Sequence, residues 1–461
     1  MIELIDLPDV VIVHVLTFLK SNDRFNTSLT CKSLNSRFNH PSLWRCMKIE
    51  ISGNYHEDEG RVMRKNQPRS ESIIEAKRIE DKLCCVGGYV QELELIFQCC
   101  SKPIDERSQS LIHLFISNAS RLKSLTLSMY PCQQGTGRVA HSEDLQAVSA
   151  ILNSCDKLNS FTLRFWPSSA GQGYHIFEKL VSNENLISSV ENLNLFWPDR
   201  DSSSWAAIRA SETPASIVEI IDQFKNLTHF SLPSNLLSGE LLRELVKMPR
   251  KRLQSLRILV TYSRQESSAI PQISAVRWKD FSSYHSDVSI EVVFSNRVPS
   301  PDMAAILNIE MPVSSLYFMP YSRCSKTDIV DFAMKFSGSL KRYVNLSNET
   351  IDADESLLNL VNLCNHLHTF VHYSKLNWKT VIDLAKSKSE NWFRFEISEE
   401  AINFRDDMAD ENEVIRKVDD QYRLVGVEKW GVHDDDVIKH STMTDSVSVA
   451  LKQRWKPTNR H

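Results

Sequence analysis

Apolar and polar positions along this chain fall into two regimes. Before Pro41 the spacing is helical. Val11, Ile12, Val15, Leu16 and Leu19 recur on one side, with Phe18 beside them, near the periodicity of a helix face. Pro8 suits the first turn of that helix, because its missing N–H would be unpaired there and its φ is already helical. Ser21, Asn22 and Asp23 are capping residues for a second helix carrying Phe25 and Leu29. Leu34 and Phe38 form an i, i+4 pair on a third, which Pro41 ends. Three short helices bury too little surface to stand alone. Either the remaining chain or a partner must cover the rest of the apolar arc.

From Val90 the pattern becomes Leu-xx-Leu-x-Leu with apolar substitutes. It runs Val90, Leu93, Leu95; Leu122, Leu125, Leu127; Leu158, Phe161, Leu163; Val190, Leu193, Leu195; Leu227, Phe230, Leu232; and Leu253, Leu256, Ile258. A weaker copy spans Ile290 to Phe294, followed by Val313, Leu316, Phe318 and by degenerate copies at Leu340 and Tyr343, Leu367 and Phe370, and Trp392, Phe395 and Ile397. The unit is roughly 24 to 37 residues long, a self-similarity that predicts stacked repeats. Return helices are expected at 144–152, 214–224, 240–246, 328–336 and 379–385. Together they predict an α/β fold, a curved solenoid with a parallel sheet on its concave face.

Side chains alternate along a strand, so the residues between the marked leucines point away from the core. That row holds Glu92, Glu94, Ser124, Thr126, Ser160, Thr162, Arg164, Asn192, Asn194, Phe196, His229, Ser231, Ser255, Arg257, Tyr317, Arg342 and Arg394. It starts acidic and later turns basic, a gradient suited to a charged peptide or a modified residue, since Arg pairs with carboxylate or phosphate. Ser160, Arg164, Asn192, Asn194, Phe196, His229, Arg257 and Tyr317 are the candidate target contacts.

Leu7-Pro8-Asp9, Phe18-Leu19, Ser28-Leu29-Thr30-Cys31-Lys32 and Pro41-Ser42-Leu43-Trp44 stand in the order and approximate spacing of the F-box, which this segment resembles. The chain departs from that family at Leu34, where a Trp is common, and at the β-branched Val10-Val11-Ile12. The later copies resemble the leucine-rich repeat. The copy Leu227 to Leu232 is followed by Asn235, as that family favours, and Tyr130-Pro131, Trp166-Pro167 and Trp197-Pro198 sit near that place in earlier copies.

The resemblance implies four regions: 1–48 an F-box, 49–79 a charged linker, 80–430 irregular leucine-rich repeats, and 431–461 a cap or tail. It further implies a non-catalytic substrate receptor of an SCF-type ubiquitin ligase. The chain would bind a Skp-type adaptor, and through it cullin and RING subunits, while the repeats hold an unknown target protein in cytoplasm or nucleus. Adaptor contacts would come from Leu7, Pro8, Val11, Ile12, Val15, Leu16, Phe18, Leu19, Leu29, Cys31, Leu34, Phe38, Leu43 and Trp44. The alternative is a repeat scaffold without ligase coupling.

Composition narrows the classes. The 461 residues are 42% hydrophobic and 24% charged, with formal net charge −4, so nothing in the balance calls for nucleic acid or an anionic membrane. No apolar stretch is long enough to span a bilayer, and the run Val10 to Leu19 lacks the basic flank of a signal peptide. Ten cysteines show no CxxC or zinc-ligand spacing and read as buried thiols of a reducing compartment. Only 12 glycines occur, and no nucleophile elbow, Walker loop, HExxH or Rossmann string is present. His366, His368 and His372 cluster, but no acidic or thiol ligand matches them, so neither metal nor cofactor is expected. The acidic stretch 399–420 suits a terminal cap of the array, and the basic end around Lys452, Arg454 and Lys456 reads as a solvated tail.

Overall fold

The structure is a computed structural model. It describes residues 7–19, 21–51, 87–99, 112–113, 121–131, 142–164, 170–195, 214–247, 249–260, 273–295, 298–320, 322–347, 353–387, 392–398 and 401–403. The chain divides into two units, Met1–Leu253 and Gln254–His461.

The first unit opens with helices α1 (Asp9–Thr17), α2 (Ser21–Ser28) and α3 (Lys32–Phe38) and a 3-10 turn at Pro41–Leu43. Pro8 stands just outside α1 as its cap residue rather than within its first turn, its carbonyl accepting the Val11 and Ile12 N–H groups. The Cys31 thiol does the same for α3, accepting the Leu34 N–H at 3.5 Å. Strand β1 (Cys46–Ile51) then leaves the helical module directly and pairs in parallel with β2 (Glu92–Cys99), Cys46 opposite Glu92 and Ile51 opposite Phe97. Strand β1 therefore spans the boundary expected at residue 48 and joins the sheet ahead of residue 80. Most of the expected linker lies outside the described residues.

Strands β3 (Ser124–Pro131), β4 (Ser160–Arg164), β5 (Asn192–Asn194) and β6 (His229–Pro233) follow in chain order, each parallel to the last. Parallel neighbours need a long crossover. Helices α4 (Ser142–Asn153), α5 (Ala170–Ser182), α6 (Glu184–Ser189) and α7 (Pro214–Gln223) supply it, and α8 (Gly239–Leu245) follows β6. The paired inward residues, from Leu93 and Leu95 to Phe230 and Leu232, are all at most 2% exposed. Buried Arg250 closes this unit by donating to the Ile221 and Phe224 carbonyls at 2.7 Å each, satisfying groups that the end of α7 leaves orphaned.

The second unit repeats the plan. Its main strands are β7 (Ser255–Val260), β8 (Ser289–Phe294), β9 (Val313–Phe318), β10 (Arg342–Asn345), β11 (Thr369–His372) and β13 (Arg394–Ile397), again parallel and in order. β12 (Leu376–Asn377) and β14 (Ile402–Asn403) form a separate small pair. Helices α9 (Ala275–Tyr284), α10 (Ser300–Ile306), α11 (Lys326–Phe336), α12 (Asp354–Leu363) and α13 (Trp378–Ser387) alternate with them. Aromatic rings replace leucines in the core. Phe294, Phe318, Tyr343, Phe370 and Phe395 form a column with successive centroids 5.1, 5.9, 5.6 and 5.8 Å apart, an offset contact that adds to simple burial.

Where β8, β9, β10, β11 and β13 end, one buried serine recurs: Ser295, Ser322, Ser347, Ser374 and Ser398. Ser347 Oγ donates to the Ser322 carbonyl at 2.6 Å and Ser374 Oγ to the Ser347 carbonyl at 3.0 Å. Asn345 joins this ladder, donating to Ser374 Oγ at 3.2 Å and accepting the Ser347 N–H at 3.0 Å. A buried turn must pair its backbone groups, and here hydroxyls pair them from one repeat to the next. Asn345 thus satisfies a backbone N–H at the turn that leaves β10.

Candidate functional site

Helix α1 is apolar on both sides, and the structure divides the fourteen expected adaptor contacts between them. Ile12 and Leu16, with Val13, face inward onto Leu34, Phe38, Leu43 and Trp44, and all of these are at most 7% exposed. They are the interior of the module. Phe38 meets Trp44 edge to face at 4.8 Å, and Trp44 Nε1 donates to the Phe38 carbonyl. Pro8, Val11, Val15, Phe18, Leu29 and Cys31 remain on the outside, with Leu7 and Leu19 half-buried.

The outer stripe is steeply exposed, Val10 at 80% and Phe18 at 77%. Val10 was not among the expected contacts; its i, i+1, i+4, i+5 relation to Val11, His14 and Val15 was the available signal. His14 packs edge-on against Phe18 at 5.0 Å, orienting the ring outward. Leu29 lies in the turn after α2 and is 67% exposed.

Part-buried and surface polar ties hold this stripe in place. Arg24 Nε donates to the Leu16 carbonyl at 2.9 Å and its terminal nitrogens to the Thr17 and Leu43 carbonyls, joining the end of α1 to the 3-10 turn. Burial lowers the Arg24 pKa. Arg37 Nε pairs with Asp9 Oδ1 at 2.8 Å, linking α3 to the first residue of α1.

On the outward sheet face of the first unit, Lys48, Glu94, Thr126, Thr162, Asn194 and Ser231 lie in register. Glu94 is shared: Arg164 approaches at 2.7 Å, Lys48 at 3.5 Å and Ser128 Oγ at 3.4 Å. The expected acidic beginning is therefore neutralised, because β1 brings in a lysine and Arg164 reaches back two strands. Cys46 donates to Glu92 at 3.1 Å, and burial first, then Glu92, raises its thiol pKa. Ser160 and Asn192 share a register row with His229, whereas Asn194 is largely buried. At the rim, Glu191 takes Lys251 at 2.8 Å and Asn159 at 2.9 Å, and these bonds lower its pKa.

In the second unit Arg257 pairs with Glu291, and Tyr317 lies in register with Val293 and Val344. Phe196, Trp166-Pro167, Trp197-Pro198, the acidic stretch from Phe404 and the basic end lie outside the described residues. Cys155, Cys324 and Cys364 are buried as expected, whereas Cys31 and Cys46 are exposed. Among the described residues no three His, Cys, Asp or Glu side chains converge on a metal position. His372 sits in the aromatic core while His366 is exposed, which separates the histidine cluster. No helix among the described residues is long and apolar enough to cross a membrane.

The comparisons match this arrangement. The F-box-like family matches residues 4–50, the span of the three helices and most of β1. F-box only protein 33 of Homo sapiens is 21% identical over 497 aligned positions, covering 97% of this chain and 82% of that protein. F-box only protein 33 of Mus musculus is 20% identical, with the same coverage of each chain. The chain is therefore a protein with an F-box-like domain at its N-terminus, homologous over most of its length to F-box only protein 33.

Proposed function

We propose that this chain is a substrate-recognition subunit of an SCF-type ubiquitin ligase. The outer stripe Pro8, Val10, Val11, Val15, Phe18 and Leu29 docks a Skp-type adaptor, and the adaptor brings in cullin and RING subunits. The repeats, which we assign to an irregular leucine-rich kind, hold a target protein on their outward strand face, with Ser160, Arg164, Asn192, His229, Arg257 and Tyr317 as contacts. The chain performs no bond-breaking step. It raises the effective concentration of a target lysine near a ubiquitin-loaded enzyme, inside the cytoplasm or nucleus.

The observation that carries this reading is α1. Its inner side already fills the module, yet its outer side presents Val10 at 80% exposure and Phe18, which caps its end, stands 77% exposed. Two faces of that kind on one short helix require a second surface. Co-expression with a Skp-type adaptor and size-exclusion chromatography tests it. Wild type should co-elute with the adaptor, and the Val11→Asp/Phe18→Ala variant should not. Equal co-elution of both would mean that the adaptor does not sit on this stripe; no complex with either would leave a repeat scaffold without ligase coupling.

A further inference from the structure

In the second unit the leading ends of β10, β11 and β13 form a line. The His368 N–H donates to the Lys341 carbonyl at 3.0 Å and the Phe393 N–H to the His368 carbonyl at 2.9 Å. The next residues, Arg342, Thr369 and Arg394, are register partners. Neighbouring strands lie about 4.8 Å apart, which puts the Arg342 and Arg394 backbones ~10 Å apart across Thr369.

The segments 339–342, 365–369 and 392–395 carry Lys341, Arg342, His366, His368 and Arg394 and no carboxylate, in a chain of net charge −4. Glu310, ahead of β9, is the carboxylate of the preceding margin. On the strand face itself Glu396 sits opposite Val371 and is already shared, accepting Arg394 Nε at 2.7 Å and the Tyr373 hydroxyl. Burial first, then Arg342 and Lys341, lowers the His368 pKa, as a local positive potential requires. Phe393 is 86% exposed and stands edge-on to His368 at 6.3 Å, an apolar ring at the rim of a cationic strip.

We infer that this margin binds an extended acidic segment of a protein, its carboxylates on Lys341 and Arg342 and a neighbouring apolar side chain against Phe393. The inference rests on reading the chain as a target receptor. Arg offers a bidentate fork for a carboxylate, and the excess of cations selects against basic partners.

The test uses the full chain and two fluorescein-labelled peptides, one alternating Glu with Leu and the other Gln with Leu, with adaptor co-elution measured on the same samples. The Glu peptide should bind at least tenfold more tightly than the Gln peptide, lose at least tenfold in the Arg342→Glu/Lys341→Glu variant and weaken in Phe393→Ser, while adaptor co-elution is unchanged. Equal binding of the two peptides, or binding indifferent to Arg342→Glu, overturns the inference. So does an oligothymidylate that outcompetes the Glu peptide at this margin. Loss of the adaptor with retained Glu-peptide binding would instead remove the ligase reading and leave the margin standing.

Discussion

Trp44 and Phe18 are both aromatic members of the N-terminal module, and they do opposite things. Trp44 is 7% exposed and hydrogen-bonded to the Phe38 carbonyl, whereas Phe18 is 77% exposed. Replacing Trp44 by Ala empties the module interior and should cost about 3–5 kcal/mol in denaturant unfolding of the full chain. Phe18→Ala should change stability by less than about 0.5 kcal/mol while abolishing adaptor co-elution. His372 gives a third residue-scale expectation. It is fully buried among aromatic rings, and burial lowers its pKa to about 3, against roughly 6.5 in an unfolded chain. The unfolded state therefore binds a proton that the folded state refuses, so this contribution is complete above about pH 6.5 and is lost as pH falls towards 3. Between pH 6.5 and 5 wild type should lose about 2 kcal/mol more than His372→Phe, read from urea unfolding at the two pH values.

At the scale of elements, β1 covers one side of β2, with both the Gln91 and Glu92 N–H groups donating to the Arg45 carbonyl at 2.9 Å. A chain starting at Arg45 keeps that ladder, whereas one starting at Ser52 bares an edge strand. The second should self-associate in size-exclusion chromatography and the first should elute as wild type does. This strand was hidden in the sequence because Met47 and Ile49 form only a short alternation, with no leucine triplet, directly after the helical run. The strands of the array were legible because Leu-xx-Leu-x-Leu fixes which side is buried. Even the degenerate copies at Tyr343 and Phe370 proved to be strands, their rings stacking where leucines would sit. Helices such as α9, with Trp278 and Phe281 as its buried anchors, carry too few apolar positions for a clear helical period. The split of the expected docking contacts was illegible for the converse reason: α1 carries apolar residues on both its sides, so period alone could not tell inside from outside. The serine ladder needed register, since a lone serine in sequence carries no direction.

For the whole molecule, net charge −4 says little about any one surface. Glu94 is spent on Arg164 and Lys48 in the first unit, while Lys341 and Arg342 lie in a strip without carboxylates in the second. A chain that repels polyanions on average would still retain a short acidic peptide at that strip, and adding salt should weaken this retention far more than it weakens adaptor co-elution, which rests on apolar contacts. Strand β1 has a last consequence. It leaves the three N-terminal helices and enters the sheet directly after Trp44 and Arg45, so a backbone ladder ties the end proposed to dock to the strands that follow. A target resting on that first unit would be aimed, not merely tethered. Which of its lysines received ubiquitin would then be decided by bearing and reach, as with a fixed arm on a lathe, and a few glycines inserted after Arg45 would broaden the choice without touching either binding surface.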